Sequence, residues 1–192
     1  MNRIKLFFTF ALIGTISACT GEGTNTSVGE SSYFDLQTLL DSQVEYLTSS
    51  EAKLKKELTA QGAKENLTID PDSVQGWKRQ LKLFYEANIN KKGFEGEYFE
   101  EHLPVINGLS KSIFTAKTQK NPVKVLECTY ENDTLKEIRV SVKESNTVYE
   151  VSKEMTLHFN SEQHLVGFDI KGGETMAVKK DLNYSIVGTI IY

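Results

Sequence analysis

Hydrophobic side chains recur along this chain with two different periods, and the change of period divides it. Phe34, Leu36, Leu39, Leu40, Val44 and Leu47 return at steps of three and four, with Asp35, Gln37, Asp41 and Glu45 between them. That stripe predicts an amphipathic helix of about four turns whose apolar face packs on a core. A second stripe, Val74, Trp77, Leu81, Phe84 and Tyr85, follows Asp70-Pro71-Asp72-Ser73, a segment suited to capping a helix that runs to about Asn88. The only tryptophan, Trp77, is expected to anchor the packing of the two helices.

Between the stripes, residues 53 to 69 read KLKKELTAQGAKENLTI. Leu54, Leu58 and Ala60 alternate with Lys53, Lys55, Glu57 and Thr59, so a charged hairpin turning at Gln61-Gly62 fits. A helical continuation is the rival, because the first half is rich in Lys, Glu and Leu. The hairpin is preferred, since Asn66-Leu67-Thr68-Ile69 reads as a strand.

From Gly93 onward the period is two. Ile138, Val140 and Val142 alternate with Arg139, Ser141 and Lys143, and Met155, Leu157 and Phe159 alternate with Glu154, Thr156 and His158. Runs of this kind joined by short turns predict an antiparallel meander buried on one face. The last run, Tyr184 to Tyr192, is apolar on both faces and belongs inside the sheet or under the helices. The expected class is α+β: two N-terminal helices, with an intervening β-hairpin, packed on a C-terminal antiparallel meander.

The amino terminus follows neither period. Arg3 and Lys5 precede a nearly continuous apolar run from Leu6 to Ile16, closed by Ile16-Ser17-Ala18-Cys19. A run of about eleven residues is too short to span a bilayer, which needs about twenty. Residues 1 to 18 are therefore expected to be a cleaved export signal.

Ile16, Ser17 and Ala18 before Cys19 resemble the lipobox of bacterial lipoproteins, which implies signal-peptidase recognition by those three residues and lipidation of Cys19. Two or three acyl chains would hold the mature protein on a membrane, at about 0.8 kcal/mol per buried methylene. Residues 20 to 32, TGEGTNTSVGESS, would then be a flexible tether with a typical end-to-end distance of about 20 Å. Residues 33 to 192 would form a single domain of ordinary size.

The whole order resembles a group of uncharacterised Bacteroidota lipoproteins. It comprises the lipobox, the polar tether, the YFDLQTLL helix, the hairpin with its QG turn, the WKRQLKLFYEANIN helix and a meander ending in YSIVGTIIY. The resemblance implies a lipid-anchored envelope protein with a small α+β domain and brings no activity with it. Thr20 lacks the aspartate that resembles an inner-membrane retention signal, and the segment after Cys19 lacks an acidic surface-export cluster. The expected address is the outer membrane, facing the periplasm, with surface exposure left open.

Charge and cysteine content narrow the chemistry. Loss of residues 1 to 18 removes Arg3 and Lys5 and takes the formal charge from −4 to −6. A moderately acidic domain without a basic stripe is a poor partner for nucleic acid. Only Cys19 and Cys128 are present, and acylation would consume the first, so no internal disulfide is expected. Cys128, in the apolar run Val123 to Tyr130, is expected to be a small buried hydrophobe.

Few residues invite a reaction. If Met155, Leu157 and Phe159 pair with Ile170, Phe168 and Val166, then His158 faces Gly167 and His164 faces Ser161, which puts the two histidines on opposite faces and argues against a shared metal. Adjacent side chains in Glu100-Glu101-His102 diverge, so that segment is expected to be a solvated polar stretch. Gly172-Gly173 is most simply a turn. No zinc-protease, nucleophile-elbow or phosphate-loop pattern occurs, so neither a metal nor a cofactor is expected.

Ser73 and Thr134 sit in Asp-Ser-Val and Asp-Thr-Leu triplets that resemble an O-glycosylation signal of exported Bacteroidota proteins. The function expected is that of a non-catalytic envelope protein binding a protein, glycan or lipid. The alternative is a tethered hydrolase acting on envelope polymers.

Overall fold

A computed structural model describes residues 33–176 and 179–192, with the side chains of 179 and 180 left aside. Asp35 opens the first helix, α1 (Leu36–Ser49), by accepting a hydrogen bond from the Thr38 N–H at 3.1 Å. This satisfies one of the amides that the first helical turn leaves without a partner. Leu36, Leu40, Val44 and Leu47 are buried, as the stripe predicts. The next pair of strands, β1 (Lys53–Ala60) and β2 (Ala63–Ile69), is the expected hairpin. Gln61 and Gly62 both have positive φ, 51° and 83°, the two-residue turn whose twist matches that of the strands.

The second helical stripe is interrupted. Ser73 caps α2 (Val74–Gln80) by accepting from the Gly76 N–H at 3.1 Å. The chain leaves helical geometry at Leu81 (φ −97°, ψ 10°) and re-enters it as α3 (Lys82–Glu86). Trp77, Leu81 and Phe84, spaced i, i+4 and i+7, stay on one face across the break and are all fully buried. Burial of three large side chains outweighs the lost regularity, at about 2 to 3 kcal/mol for each.

Seven strands follow in an unbroken meander: β3 (Tyr98–Ile106), β4 (Leu109–Ala116), β5 (Val123–Glu131), β6 (Thr134–Ser145), β7 (Tyr149–Phe159), β8 (Leu165–Met176) and β9 (Lys179–Ile191). The last strand pairs with β1, so the early hairpin joins the meander in one nine-stranded antiparallel sheet of order β2-β1-β9-β8-β7-β6-β5-β4-β3. The two-layer expectation therefore holds only coarsely. Among the described residues the sheet dominates, with three helices beside it, and the hairpin is part of the sheet rather than a spacer between helices. The apolar β9 lies inside, between β8 and β1.

One face of this sheet makes the core. Leu54, Leu126, Cys128, Ile138, Val140, Met155, Leu157, Phe168, Ile170 and Ile190 meet the apolar faces of the helices. Buried Gln43 ties the two layers together: its amide donates to the Gln163 carbonyl at 3.0 Å, and its oxygen accepts from the Leu165 N–H at 2.7 Å. Asp41 of α1 forms an ion pair with Lys78 of α2 at 2.7 Å and accepts from the Tyr85 hydroxyl of α3 at 2.9 Å. These contacts lock the three helices to one another.

Gly172 and Gly173 are not a turn; they lie within β8. The Tyr184 ring of β9 covers Gly172 so closely that a Cβ there would come within 2.2 Å of it. Gly188 is covered in the same way by Phe168. In each pair the aromatic ring occupies the space that the glycine leaves on the inner face.

Candidate functional site

The second face of the sheet is polar, and among the described residues no helix covers it. Alternation along β6, β7 and β8 places Glu137, Arg139, His158, Thr156, Asp169 and Lys171 there, opposite the core side chains. They line an open trough of about 450 Å³. Lys171 also borders a wider depression of about 570 Å³, toward Thr59, Gln61 and Ser185 on β1, its turn and β9.

At the centre of the trough the His158 imidazole lies between two carboxylates. Its Nε2 is 2.6 Å from Asp169 Oδ2, and its Nδ1 is 3.6 Å from Glu137 Oε2. The other Glu137 oxygen is 2.6 Å from Arg139 Nε. Lys111 meets Glu127 at 2.7 Å, and the Ser141 hydroxyl donates to Glu154 at 2.6 Å. The residue directly across from His158 is Gly167, where a Cβ would come within 2.6 Å of the Gly188 carbonyl oxygen of β9, and the His158 ring reaches Asp169, the diagonal neighbour.

Both imidazole nitrogens are thus directed at carboxylates and not at a hydroxyl or thiol. General-base activation of a nucleophile needs a lone pair within hydrogen-bond reach of the proton it takes. What this arrangement does instead is order alternating charges on a rigid strand surface. Among the described residues, no group of three or more His, Cys, Asp and Glu is placed to hold a metal ion.

Titratable groups with displaced proton affinity lie on the helix-covered side. Burial pushes the Cys128 thiol up to about 12, and it does the same for the Tyr98, Tyr130 and Tyr192 hydroxyls. Desolvation lowers the proton affinity of Lys56, whose ammonium donates to Gln80 at 3.3 Å. The hydrogen bond from Lys78 holds the Asp41 carboxyl below its usual range. Under α3 there is also a cleft of about 60 Å³ lined by Leu83, Ala87, Val123, Val142 and Met155. That space matches one or two methyl groups rather than a ligand of ordinary size.

The residues singled out from the sequence fall in different places. Ile16, Ser17, Ala18 and Cys19 lie outside the described residues, as do the export signal and the tether. His158 and Gly167 pair as the sequence register predicts, and so do Leu157 with Phe168 and Met155 with Ile170. The register then shifts, so Phe159 meets Leu165 rather than Val166, and the Asn160 N–H donates to the His164 carbonyl.

His164 stacks on Tyr46 of α1 at 3.7 Å, far from the polar face of His158. His102 and Glu100 share one face of β3, 3.1 Å apart and exposed, while Glu101 points the other way. Ser73 is partly buried with its oxygen engaged as a helix cap, and Thr134 begins β6 after the Asn132-Asp133 turn. Cys128 is fully buried.

Sequence reasoning missed the grouping of Glu137, His158 and Asp169, because three strands contribute one residue each. No protein-family model matches the chain, and no curated protein matches it.

Proposed function

We propose that this chain is an exported lipoprotein, anchored in the bacterial envelope through Cys19, whose domain binds a polar partner on its uncovered sheet face without transforming it. The observation that carries the reading is the open trough around His158, a surface of alternating charge on strands whose other face packs on the helices. The export signal, the lipobox resemblance and the polar segment 20 to 32 support the address. Ser73 and Thr134 remain proposed sites of O-glycosylation, and an intact mass from the native host equal to that of the unmodified lipoprotein would remove them.

The test is recovery of a stoichiometric partner from detergent-solubilised membranes with the lipidated chain as bait. The double variant Arg139→Glu, Lys171→Glu inverts two cations at the edge of the trough and is expected to lose that partner. Recovery of the same partner by the variant contradicts the binding face.

A tethered hydrolase is the second reading, favoured by the convergence of Glu137, His158 and Asp169. It requires turnover of an envelope polymer that His158→Asn abolishes. Unchanged turnover in that variant eliminates it.

A further inference from the structure

The β3–β4 hairpin carries apolar side chains that the core does not use. Val105 is 63 % exposed and Ile106 66 % exposed, and Leu103 and Leu109 are also exposed beside them. They surround the Asn107-Gly108 turn, where both residues have positive φ, 53° and 78°. A two-residue turn of this type is stiff. It is braced further by the neighbouring β5–β6 turn, where the Asn132 N–H donates to the Gly108 carbonyl at 2.7 Å. Four apolar side chains on a rigid tip are a costly way to end a hairpin in water, where polar turn residues serve as well.

We infer that this tip seats in the lipid surface to which the chain is anchored, an inference that rests on the proposed acylation of Cys19. The chain enters the domain at the base of the same hairpin. The Tyr33 hydroxyl accepts from the Tyr98 N–H at 3.0 Å, and the Tyr33 ring meets Tyr98 and Phe114 edge to face. Thirteen residues separate Cys19 from Tyr33. Such a length reaches at most about 45 Å when fully extended. The hairpin is about 26 Å from base to tip at the rise of a β-strand. The anchor therefore permits the tip to reach the bilayer and keeps it close at high effective concentration.

Charge selects the kind of surface. Lys111 is paired with Glu127 at 2.7 Å and Lys136 with Glu131 at 3.1 Å, which leaves the carboxylates of Asp133, on the neighbouring turn, and Glu101, lower on β3, to set the local charge. Acidic flanks disfavour an anionic headgroup layer, so the tip enters a zwitterionic one by burying Val105 and Ile106 at the headgroup boundary. A second copy of this chain is a poorer occupant, because a hairpin tip offers far less area than a stable dimer needs.

The experiment uses the full lipidated chain in phosphatidylcholine vesicles with ordinary or brominated acyl chains. Trp77 is buried and supplies a constant background. An Ile106→Trp variant is expected to lose about half of its added emission in brominated vesicles, as for a side chain several ångströms below the headgroups. A Val148→Trp variant, in the exposed β6–β7 turn at the opposite end of the strands, is expected to be unaffected.

Equal emission of Ile106→Trp in both vesicles, with the lipid on Cys19 confirmed by mass, overturns the docking and leaves the lipoprotein reading intact. A mass without the lipid overturns both. Near-ultraviolet circular dichroism identical to wild type establishes that each variant is folded.

Discussion

Gly172 and Gln43 show how single positions fit β8 to β9 and tie the helices to the sheet. A methyl group at Gly172 meets the Tyr184 ring, so Gly172→Ala is expected to destabilise by about 1 to 3 kcal/mol in urea titrations, as overpacking does. Adding Tyr184→Ala should relieve part of that loss, giving a non-additive double-mutant cycle. The Gly-Gly pair looks like a turn in the sequence because its reason for being small stands on another strand.

Gln43→Leu leaves the buried Leu165 N–H without an acceptor and should cost about 1 to 3 kcal/mol, measured in the same way. The spacing 36-40-43-47 puts this glutamine on the buried stripe of α1, but its partners, at the β7–β8 turn and the start of β8, were not legible in the sequence.

Cys128 was readable as core from its apolar run. Its thiol should not react with Ellman's reagent at pH 7.5 until the protein unfolds. Its folded proton affinity is raised from about 9 to about 12, so its contribution is complete below pH 9 and is lost as the pH rises toward 12. Labelling of the native state as fast as of the unfolded one would contradict the burial.

The elements legible in the sequence were those specified by local pattern. The α1 stripe, the Gln61-Gly62 turn and the alternation in β6 and β7 each contain their own signal within a dozen residues. Pairing of β1 with β9 was not legible, because it joins segments from opposite ends of the domain and follows from burial shared across the sheet. The helix break at Leu81 was hidden too, since leucine is a good helix former and no glycine or proline stands at the interruption.

Asp41 joins these helices, and the sign of its titration is testable. Its carboxyl is held below the usual 3.8 by Lys78, so the linkage contributes fully above that pH and fades as the pH falls further. Asp41→Asn should therefore be less stable than wild type at pH 7 by at most about 1 kcal/mol, because the pair is partly exposed, and the difference should shrink below pH 3. A difference that persists in acid would show that shape rather than charge makes the contact.

At the scale of the whole molecule, the central strands have two unlike faces, one packed on the helices and one open, while β2 and most of β3 are exposed on both. Period-two alternation foretold a buried face and a polar face, yet it could not show that Glu137, His158 and Asp169 meet. That meeting depends on the register of three strands. The β6–β7–β8 register is the signal that would have found it, and the β7–β8 part was within reach of the sequence.

The proposed function joins an anchor at Cys19 to a binding face on the domain. A photo-reactive side chain in place of Thr156, at the centre of the open face, tests both in living cells. The account predicts one dominant cross-linked envelope component, lost when Cys19→Ala releases the chain from the membrane. No cross-link at Thr156, or the same one from the unanchored chain, would contradict it.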